Sequence, residues 1–169
     1  MANIFYPDIY LDSKYDIDLD SLKEKGIKGL ILDIDNTLVP QFTRKITDEA
    51  KNWIKDVEER GFSLCILSNA KRPRVDEFTE DLDIFSVHLA KKPLTSGFKR
   101  ALKEMNLKKE EVAIVGDQIF TDVMGGRIFG IYSILLKPIS KDEIKFVKFK
   151  RHLEKVVLRR YLRKQGNVY

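Results

Sequence analysis

Short apolar runs that alternate with helical segments constrain the fold of this chain more than any other feature. Runs rich in β-branched and aliphatic residues predict five strands, at residues 28–34, 62–67, 85–89, 112–115 and 131–136. Apolar residues at helical spacing predict helices between them, at residues 48–60, 75–80, 96–105 and 121–129. Strands alternating with helices are typical of a parallel sheet covered on both faces. We therefore predict an α/β fold, a Rossmann-like doubly wound parallel sheet with five core strands.

The length is that of one domain. At roughly 100–200 residues per domain, 169 residues predict a single domain over 1–169, with its core at about 28–136 and a tail at about 137–169. Residues 1–27 are polar and are predicted to be irregular apart from a short helix at 19–25. The longest apolar run has four residues, which excludes a transmembrane helix. The first ten residues lack the pattern of a signal peptide, so we expect a cytoplasmic protein.

Cysteine and histidine are too scarce for two common kinds of site. Cys65 is the single cysteine, which excludes an internal disulfide framework and a zinc site built from several cysteines. His88 and His152 are the two histidines, and they argue against a histidine-rich metal site.

The first predicted strand leads directly into the motif DxDxT. Ligands of open parallel sheets bind at the carboxyl ends of the strands, which is where Asp33, Asp35 and Thr37 are expected. One of these carboxylates can act as a nucleophile toward phosphorus, and its neighbour as a general acid and base. The alternative is a pair of solvated aspartates in a turn.

The next two strands end in a hydroxyl and in a lysine. Ser68 and Asn69 can hold a phosphoryl oxygen, although the same pair is a common helix N-cap. Lys92, followed by a proline, can neutralise the charge of a phosphoryl transition state. Its neighbour Lys91 is expected to face solvent.

A second acidic pair follows the fourth strand. Asp117 and Asp122 are five residues apart, and hard carboxylate oxygens are the usual ligands of Mg²⁺. Each could instead initiate a turn or a helix. The order acid pair, hydroxyl, lysine, acid pair, each after a separate strand, favours one shared site over four unrelated loops.

This order of motifs resembles the haloacid dehalogenase-like (HAD) phosphohydrolase superfamily, whose pattern is DxDx[TV], a Ser or Thr, a Lys and an acidic GDxxxxD motif. The stretches LDIDNTLV, LSNA, AKKP and GDQIFTDV are similar to the capless YqeG-type branch, which is itself similar to the mitochondrial phosphatidylglycerophosphate phosphatase. The resemblance runs from residue 28 to residue 136.

The resemblance implies a two-step hydrolysis of a phosphomonoester with Mg²⁺ as the cofactor. It implies that Asp33 is the nucleophile, Asp35 the general acid and base, and Lys92 the group that neutralises charge. Residues that orient or hold the phosphate would be Thr37, Ser68, Asn69 and Lys92. Metal ligands would be Asp33, the Asp35 carbonyl and Asp117, with Asp122 as a further ligand or an orienting group.

The spacing of the motifs leaves no room for a cap domain. About ten residues separate Asp35 from the helix that begins near Thr47, and one helix and one strand separate Ser68 from Lys92. An open site favours a phosphate that protrudes from a large molecule, such as a lipid headgroup, a protein or a nucleic acid. Small sugar phosphates can also enter an open site.

The tail is strongly basic. Residues 137–169 contain 11 Lys and Arg against 3 Asp and Glu, whereas residues 1–136 contain 20 against 23. Apolar residues at roughly helical spacing lie between these cations, at Phe146, Phe149, Leu153, Val156 and Val157. They predict a basic C-terminal helix that either lies on an anionic membrane or packs its apolar stripe on the sheet.

The open site and the basic tail together favour an anionic lipid phosphate at the inner face of the membrane, and the resemblance implies that this lipid is phosphatidylglycerophosphate. A nucleic acid is not expected as a partner, although the charge of the tail would fit one. Two alternatives remain open: a phosphatase of protein, sugar or nucleic-acid-end phosphates, and a non-catalytic receiver-like phospho-acceptor domain. Receivers place the phosphorylated Asp after the third strand, where this chain has Lys91 and Lys92.

Overall fold

The computed structural model describes residues 3–166, in which six parallel strands form one sheet. The strands are β1 (Ile9–Leu11), β2 (Gly29–Leu32), β3 (Ser63–Leu67), β4 (Phe85–Val87), β5 (Val112–Gly116) and β6 (Tyr132–Leu136). They lie in the order β1-β6-β5-β2-β3-β4. The chain runs outward from β2 in both directions, so the topological switch point, where ligands of such sheets bind, is between β2 and β5.

Helices cover both faces of the sheet. They are α1 (Leu19–Glu24), α2 (Asp48–Glu59), α3 (Arg72–Thr79), α4 (Ser96–Met105), α5 (Met124–Phe129) and α6 (Lys145–Lys164). Leu30 and Leu32 of β2 belong to the same buried cluster as Ile54 of α2. Between them in the strand, Ile31 belongs to the opposite cluster, with Phe98 of α4. Because β2 is buried on both faces, its sequence is uniformly apolar rather than alternating.

The α/β prediction is confirmed, and the five predicted strands all form. The prediction that residues 1–27 are irregular apart from one helix is wrong in one respect, because β1 adds a sixth strand beside β6. β1 has three half-buried residues, too few to produce a periodic pattern. The predicted helix at 121–129 begins later, at Met124, because a π-helical turn occupies Ile119–Val123. Within residues 3–166 no cap domain is inserted between the motifs.

The tail forms α6, and one side of this helix packs on the domain. Val147, Glu154 and Tyr161 are buried, and Leu158 packs against Ile119 and neighbouring apolar residues of the body. A second side is exposed and carries the apolar residues Phe146, Phe149, Leu153 and Val156. No helix in the described part of the chain is both long enough and apolar enough to cross a membrane.

Candidate active site

The carboxyl ends of the strands bring the predicted site residues together. Asp33 follows β2, Ser68 follows β3 and Asp117 follows β5, and each of them is buried. The Asp33 N–H donates to the carbonyl of Val115, 3.0 Å away, which extends the pairing of β2 and β5 to the site itself. The DxDxT motif and the second acidic motif are therefore neighbours at the switch point of the sheet.

Lys92 lies between the two acidic motifs. Its Nζ is 2.5 Å from Asp33 Oδ1 and 2.7 Å from Asp122 Oδ1, and its side chain is 2% exposed. Asn69 holds the Lys92 backbone at both ends, because its Oδ1 accepts from the Lys92 N–H at 2.7 Å and its Nδ2 donates to the Lys92 carbonyl at 3.1 Å. Burial by itself lowers the pKa of Lys92, but the carboxylates of Asp122 and Asp33 more than reverse this, so the net pKa is raised. Lys92 is a fixed positive charge, whereas Lys91 is exposed as expected.

Three carboxylates form a cluster that could hold a cation. Asp33, Asp117 and Asp122 are all buried, and each offers an oxygen within 4.8 Å of the others. Thr37 Oγ1 donates to Asp117 Oδ1 at 3.3 Å. Asp122 Oδ1 accepts no hydrogen bond of good geometry within residues 3–166, so its contact with Lys92 is an ion pair without a directed hydrogen bond. Buried carboxylate oxygens that still have free lone pairs are suitable ligands for a hard divalent cation.

Gly116 makes this approach of the carboxylates possible. A Cβ at this position would lie 2.3 Å from Asp122 Cγ, closer than real Cβ atoms come to other groups. Asp122 Oδ2 accepts from the Gln118 N–H at 3.1 Å, which ties the Asp122 side chain to the loop that follows β5. The glycine of the GD motif is therefore needed for space beside the acidic cluster.

The acidic cluster shifts the proton affinities of its own members. Burial, together with the nearby carboxylates of Asp122 and Asp35, raises the pKa of Asp33 to about 7, although Lys92 opposes the shift. Burial also raises the pKa of Asp117 well above its usual range, again with Asp33 and Asp122 contributing and with Arg151 opposing. Because burial is the largest cause of both shifts, these carboxylates need a positive partner to stay charged, and a bound divalent cation would supply one.

Comparison with known proteins identifies this arrangement. Residues 41–130 match the family described as haloacid dehalogenase-like hydrolase, a segment that contains Ser68, Lys92, Asp117 and Asp122. Over 168 residues the chain is 35% identical to "Probable phosphatase YqeG" of Bacillus subtilis, a match that covers 99% of this chain and 97% of that protein. The chain belongs to the haloacid dehalogenase-like hydrolases. It is a phosphatase of this family, and the receiver-like alternative is not supported.

Other relatives agree with this assignment. The chain is 30% identical over 165 residues to phosphatidylglycerophosphate phosphatase 1, chloroplastic/mitochondrial, of Arabidopsis thaliana; the match covers 90% of this chain and 47% of the plant protein, about half its length. Among solved structures, the cobalt-bound deoxy-D-mannose-octulosonate 8-phosphate phosphatase of Haemophilus influenzae has a TM-score of 0.55 at 17% identity, covering 85% of this chain and 92% of that chain. A Listeria monocytogenes protein has a TM-score of 0.56 at 21% identity, and the match covers 70% of this chain and 84% of that protein. These structures share the fold.

Arg74 is a residue of the phosphatase site that the sequence analysis missed. It lies on α3, and its guanidinium donates to Asp35 Oδ1 at 3.0 Å and to the carbonyl of Arg44 at 3.0 Å. The Asp35 carboxylate thus has a cationic partner outside the acidic cluster. Burial raises the pKa of Asp35, and the Arg74 charge and hydrogen bond oppose that rise.

Arg151 is a second missed residue, and it comes from the tail. Its guanidinium pairs with the Asp117 carboxylate and donates to the Asp117 carbonyl at 2.6 Å. It also donates to Glu143 Oε1 at 2.7 Å and to Glu154 Oε2 at 3.0 Å. All three carboxylate side chains are nearly or fully buried. The sequence signal that could have revealed this contact is a pair of opposite charges three residues apart, Arg151 and Glu154, in line with the apolar residues Val147, Leu158 and Tyr161 of α6.

Asn36 joins the loop of the DxDxT motif to the segment before α6. It adopts a left-handed conformation (φ 61°), its Nδ2 donates to Glu143 Oε1 at 3.0 Å, and its Oδ1 accepts from the Ser140 N–H at 3.2 Å. Asparagine tolerates this conformation better than most residues. The residue between Asp35 and Thr37 therefore has a structural role in holding the tail against the site.

Proposed function

We propose that this phosphatase is an Mg²⁺-dependent phosphomonoesterase that works through an aspartyl-phosphate on Asp33 and dephosphorylates phosphatidylglycerophosphate. The observation that carries the proposal is the placement of Lys92 Nζ within 2.7 Å of both Asp33 and Asp122, beside the cluster of three buried carboxylates. This placement supports the proposal because it brings the proposed nucleophile, a fixed positive charge and a candidate cation site together. Phosphoryl transfer needs little beyond such positioning and charge stabilisation.

In the first step an Asp33 oxygen would attack phosphorus, and the bond from phosphorus to the leaving alcohol oxygen would break. Asp35 would donate a proton to that oxygen. In the second step water would attack the aspartyl-phosphate, Asp35 would take the proton from the water, and inorganic phosphate would leave with Asp33 restored as a carboxylate. Lys92 would compensate the negative charge of the phosphoryl group in both steps.

A magnesium ion held by Asp33, Asp117, Asp122 and the Asp35 carbonyl would supply the charge that lets an anionic phosphate approach an anionic nucleophile. Five buried carboxyl side chains lie in and around this site, those of Asp33, Asp117, Asp122, Glu143 and Glu154. Among the described residues, Lys92 and Arg151 are the cationic side chains that pair with them. This excess of negative charge supports a divalent cation at the site.

Ser68 and Thr37 are the proposed phosphate-binding hydroxyls. The Ser68 hydroxyl is buried at the end of β3 and accepts from the Ala70 N–H at 3.1 Å, which leaves its proton for a phosphoryl oxygen. Asn69 uses its amide on the Lys92 backbone, so we propose that it acts by positioning Lys92 and not by direct contact with phosphate.

The proposed lipid substrate rests on three observations. Among the described residues no cap covers the site, one relative is named as a phosphatidylglycerophosphate phosphatase, and α6 presents an apolar strip beside a basic one. The apolar strip is Phe146, Phe149, Leu153 and Val156, and the basic strip is Lys148, His152, Lys155 and Arg159. This combination is complementary to an anionic bilayer, so we propose peripheral contact of α6 with the inner face of the membrane.

A phosphate-release assay tests the function. The panel compares phosphatidylglycerophosphate in vesicles with glycerol 3-phosphate, a phosphoserine peptide and a 3′-phosphorylated oligonucleotide, each with Mg²⁺ and with EDTA. We expect the lipid to have the highest kcat/KM, EDTA to abolish release and Mg²⁺ to restore it.

Asp33→Asn is the matched control, because the amide has nearly the same shape but is a much weaker nucleophile. We expect this variant to fold and to release no phosphate. Wild-type kcat in Asp33→Asn would contradict the covalent mechanism, full release in EDTA would contradict the metal, and a higher kcat/KM for another substrate would contradict the lipid.

A further inference from the structure

The buried side of α6 contains charged residues where an ordinary packing helix would be apolar. Residues spaced three or four apart face the domain: Val147, Arg151, Glu154, Leu158 and Tyr161. Burying charges costs free energy unless they are paired and hydrogen-bonded. If α6 only covered apolar surface, placing Arg151 and Glu154 at the centre of its contact with the domain would lower the stability of the fold.

These charges connect α6 to both acidic motifs of the site. Arg151 contacts the carboxylate and the carbonyl of Asp117. Glu154 accepts from the Phe120 N–H at 3.1 Å, in the π-helical turn that carries Asp122. Through Glu143, the same guanidinium also reaches Asn36, which follows Asp35.

The contacts of Asp117 leave its carboxylate little freedom to rotate. Arg151 holds Oδ2, while Thr37 Oγ1 lies 3.3 Å from Oδ1 and donates to it. Groups that orient a metal-binding carboxylate in this way commonly change metal affinity about 10- to 100-fold when they are removed.

We propose that Arg151 is a positioning residue for the metal ligand Asp117, so that α6 is a structural part of the metal site. The inference rests on the proposed function to the extent that Asp117 binds the metal. It goes beyond that function because it assigns a role at the metal site to a helix that lies after all four strand-end motifs.

Charge competition is the opposite role that Arg151 could have. A lone guanidinium beside a metal site repels the cation, so its removal would tighten metal binding. Here Glu143 and Glu154 both contact the guanidinium, so the group formed by these three side chains is not a net positive charge. Positioning and competition therefore predict changes of metal affinity in opposite directions.

Titration of the full chain with Mg²⁺ by isothermal calorimetry distinguishes them. We expect Arg151→Met to raise the Mg²⁺ dissociation constant at least tenfold and Arg151→Lys to raise it less, because lysine keeps the charge but not the two-pronged geometry. Arg160→Met is the matched control on the same helix, since Arg160 is exposed and forms no ion pair within residues 3–166. We expect the control to bind Mg²⁺ like the parent protein.

Circular dichroism of each variant checks that it folds. If Arg151→Met does not fold, Arg151→Lys carries the test, with the smaller weakening expected of it. Unchanged or tighter Mg²⁺ binding in the folded variants would overturn the positioning role. That outcome differs from failure of the proposed function, in which the parent protein itself would bind no Mg²⁺ and release no phosphate.

Discussion

Arg74 controls the environment of the proposed general acid and base. Its guanidinium is 3.0 Å from Asp35 Oδ1, and both side chains are partly buried, 20% and 25% exposed. Burial raises the pKa of Asp35 and the positive charge of Arg74 lowers it. The proton affinity of Asp35 therefore depends on two opposing effects, burial and the Arg74 charge, and one substitution can remove the second.

We expect Arg74→Gln to move the pH–rate profile of phosphate release to higher pH. Removing the guanidinium removes the positive charge that lowers the pKa of Asp35, so the carboxyl keeps its proton to higher pH. The limb of the kcat profile that reports loss of this proton should then shift to higher pH.

Arg72→Gln is the control for Arg74→Gln. Arg72 lies on the same helix but pairs with Asp76 at the surface, 3.1 Å away. A profile that stays in place in Arg74→Gln, or that moves to lower pH, would show that Arg74 does not set the proton affinity of Asp35.

At the scale of elements, the site requires a residue without a side chain at the end of β5. Gly116 is the last residue of the strand, and the Asp122 side chain folds back over it from the π-helical turn. A strand residue with a side chain would push this carboxylate away from Lys92 and Asp33.

We expect Gly116→Ala to reduce phosphate release at least tenfold and to lower the free energy of unfolding by about 1–3 kcal/mol, the usual cost of overpacking. The added Cβ would meet the side chain of Asp122, with the carboxylate carbon 2.3 Å away. Gly97→Ala is a comparison, since its Cβ would meet the Leu67 Cδ1 methyl at 2.9 Å and not an acidic group. We expect the Gly97 variant to lose some stability with much less loss of activity, and equal activity losses in the two variants would contradict this assignment.

At the scale of the whole molecule, α6 has two separate sides, one for the domain and one facing outward. Deleting residues from 142 onward would remove Arg151, Glu143 and Glu154 and uncover the buried cluster around Ile119. Breaking a buried ion pair alone costs about 3–5 kcal/mol. The deletion therefore tests the stability of the domain and of the proposed metal site, and it cannot isolate contact with a membrane.

Substitutions on the outward side do isolate that contact. We expect Phe149→Ser with Leu153→Ser to weaken sedimentation with phosphatidylglycerol vesicles and to lower kcat/KM for a lipid phosphate in them, while hydrolysis of glycerol 3-phosphate is unchanged. Added salt should reduce vesicle binding of the parent protein, because it screens surface charge.

Ile128→Ser on α5 is the matched control, because Ile128 and Leu153 are exposed to nearly the same extent, 52% and 51%. If the Phe149 and Leu153 double variant bound vesicles as well as the parent protein, α6 would not be the membrane-contacting element.

The sequence by itself determined the fold class and predicted which residues meet at the strand ends, because both depend on local pattern. Strand and helix periodicity predicted the parallel sheet, and the carboxyl ends of parallel strands lie at one edge of that sheet. Asp33, Ser68, Lys92 and Asp117 could therefore be assigned to one site before any contact was known.

Only the tertiary structure decided the partners of those residues. Arg74 reaches Asp35 across 39 positions, Arg151 reaches Asp117 across 34, and Asn36 reaches Glu143 across 107. The place of β1 is likewise set by its pairing with β6, where the Asp8 N–H and Ser133 are joined across 125 positions. No local pattern encodes such contacts, because each depends on where the packed sheet and helices bring two distant side chains together.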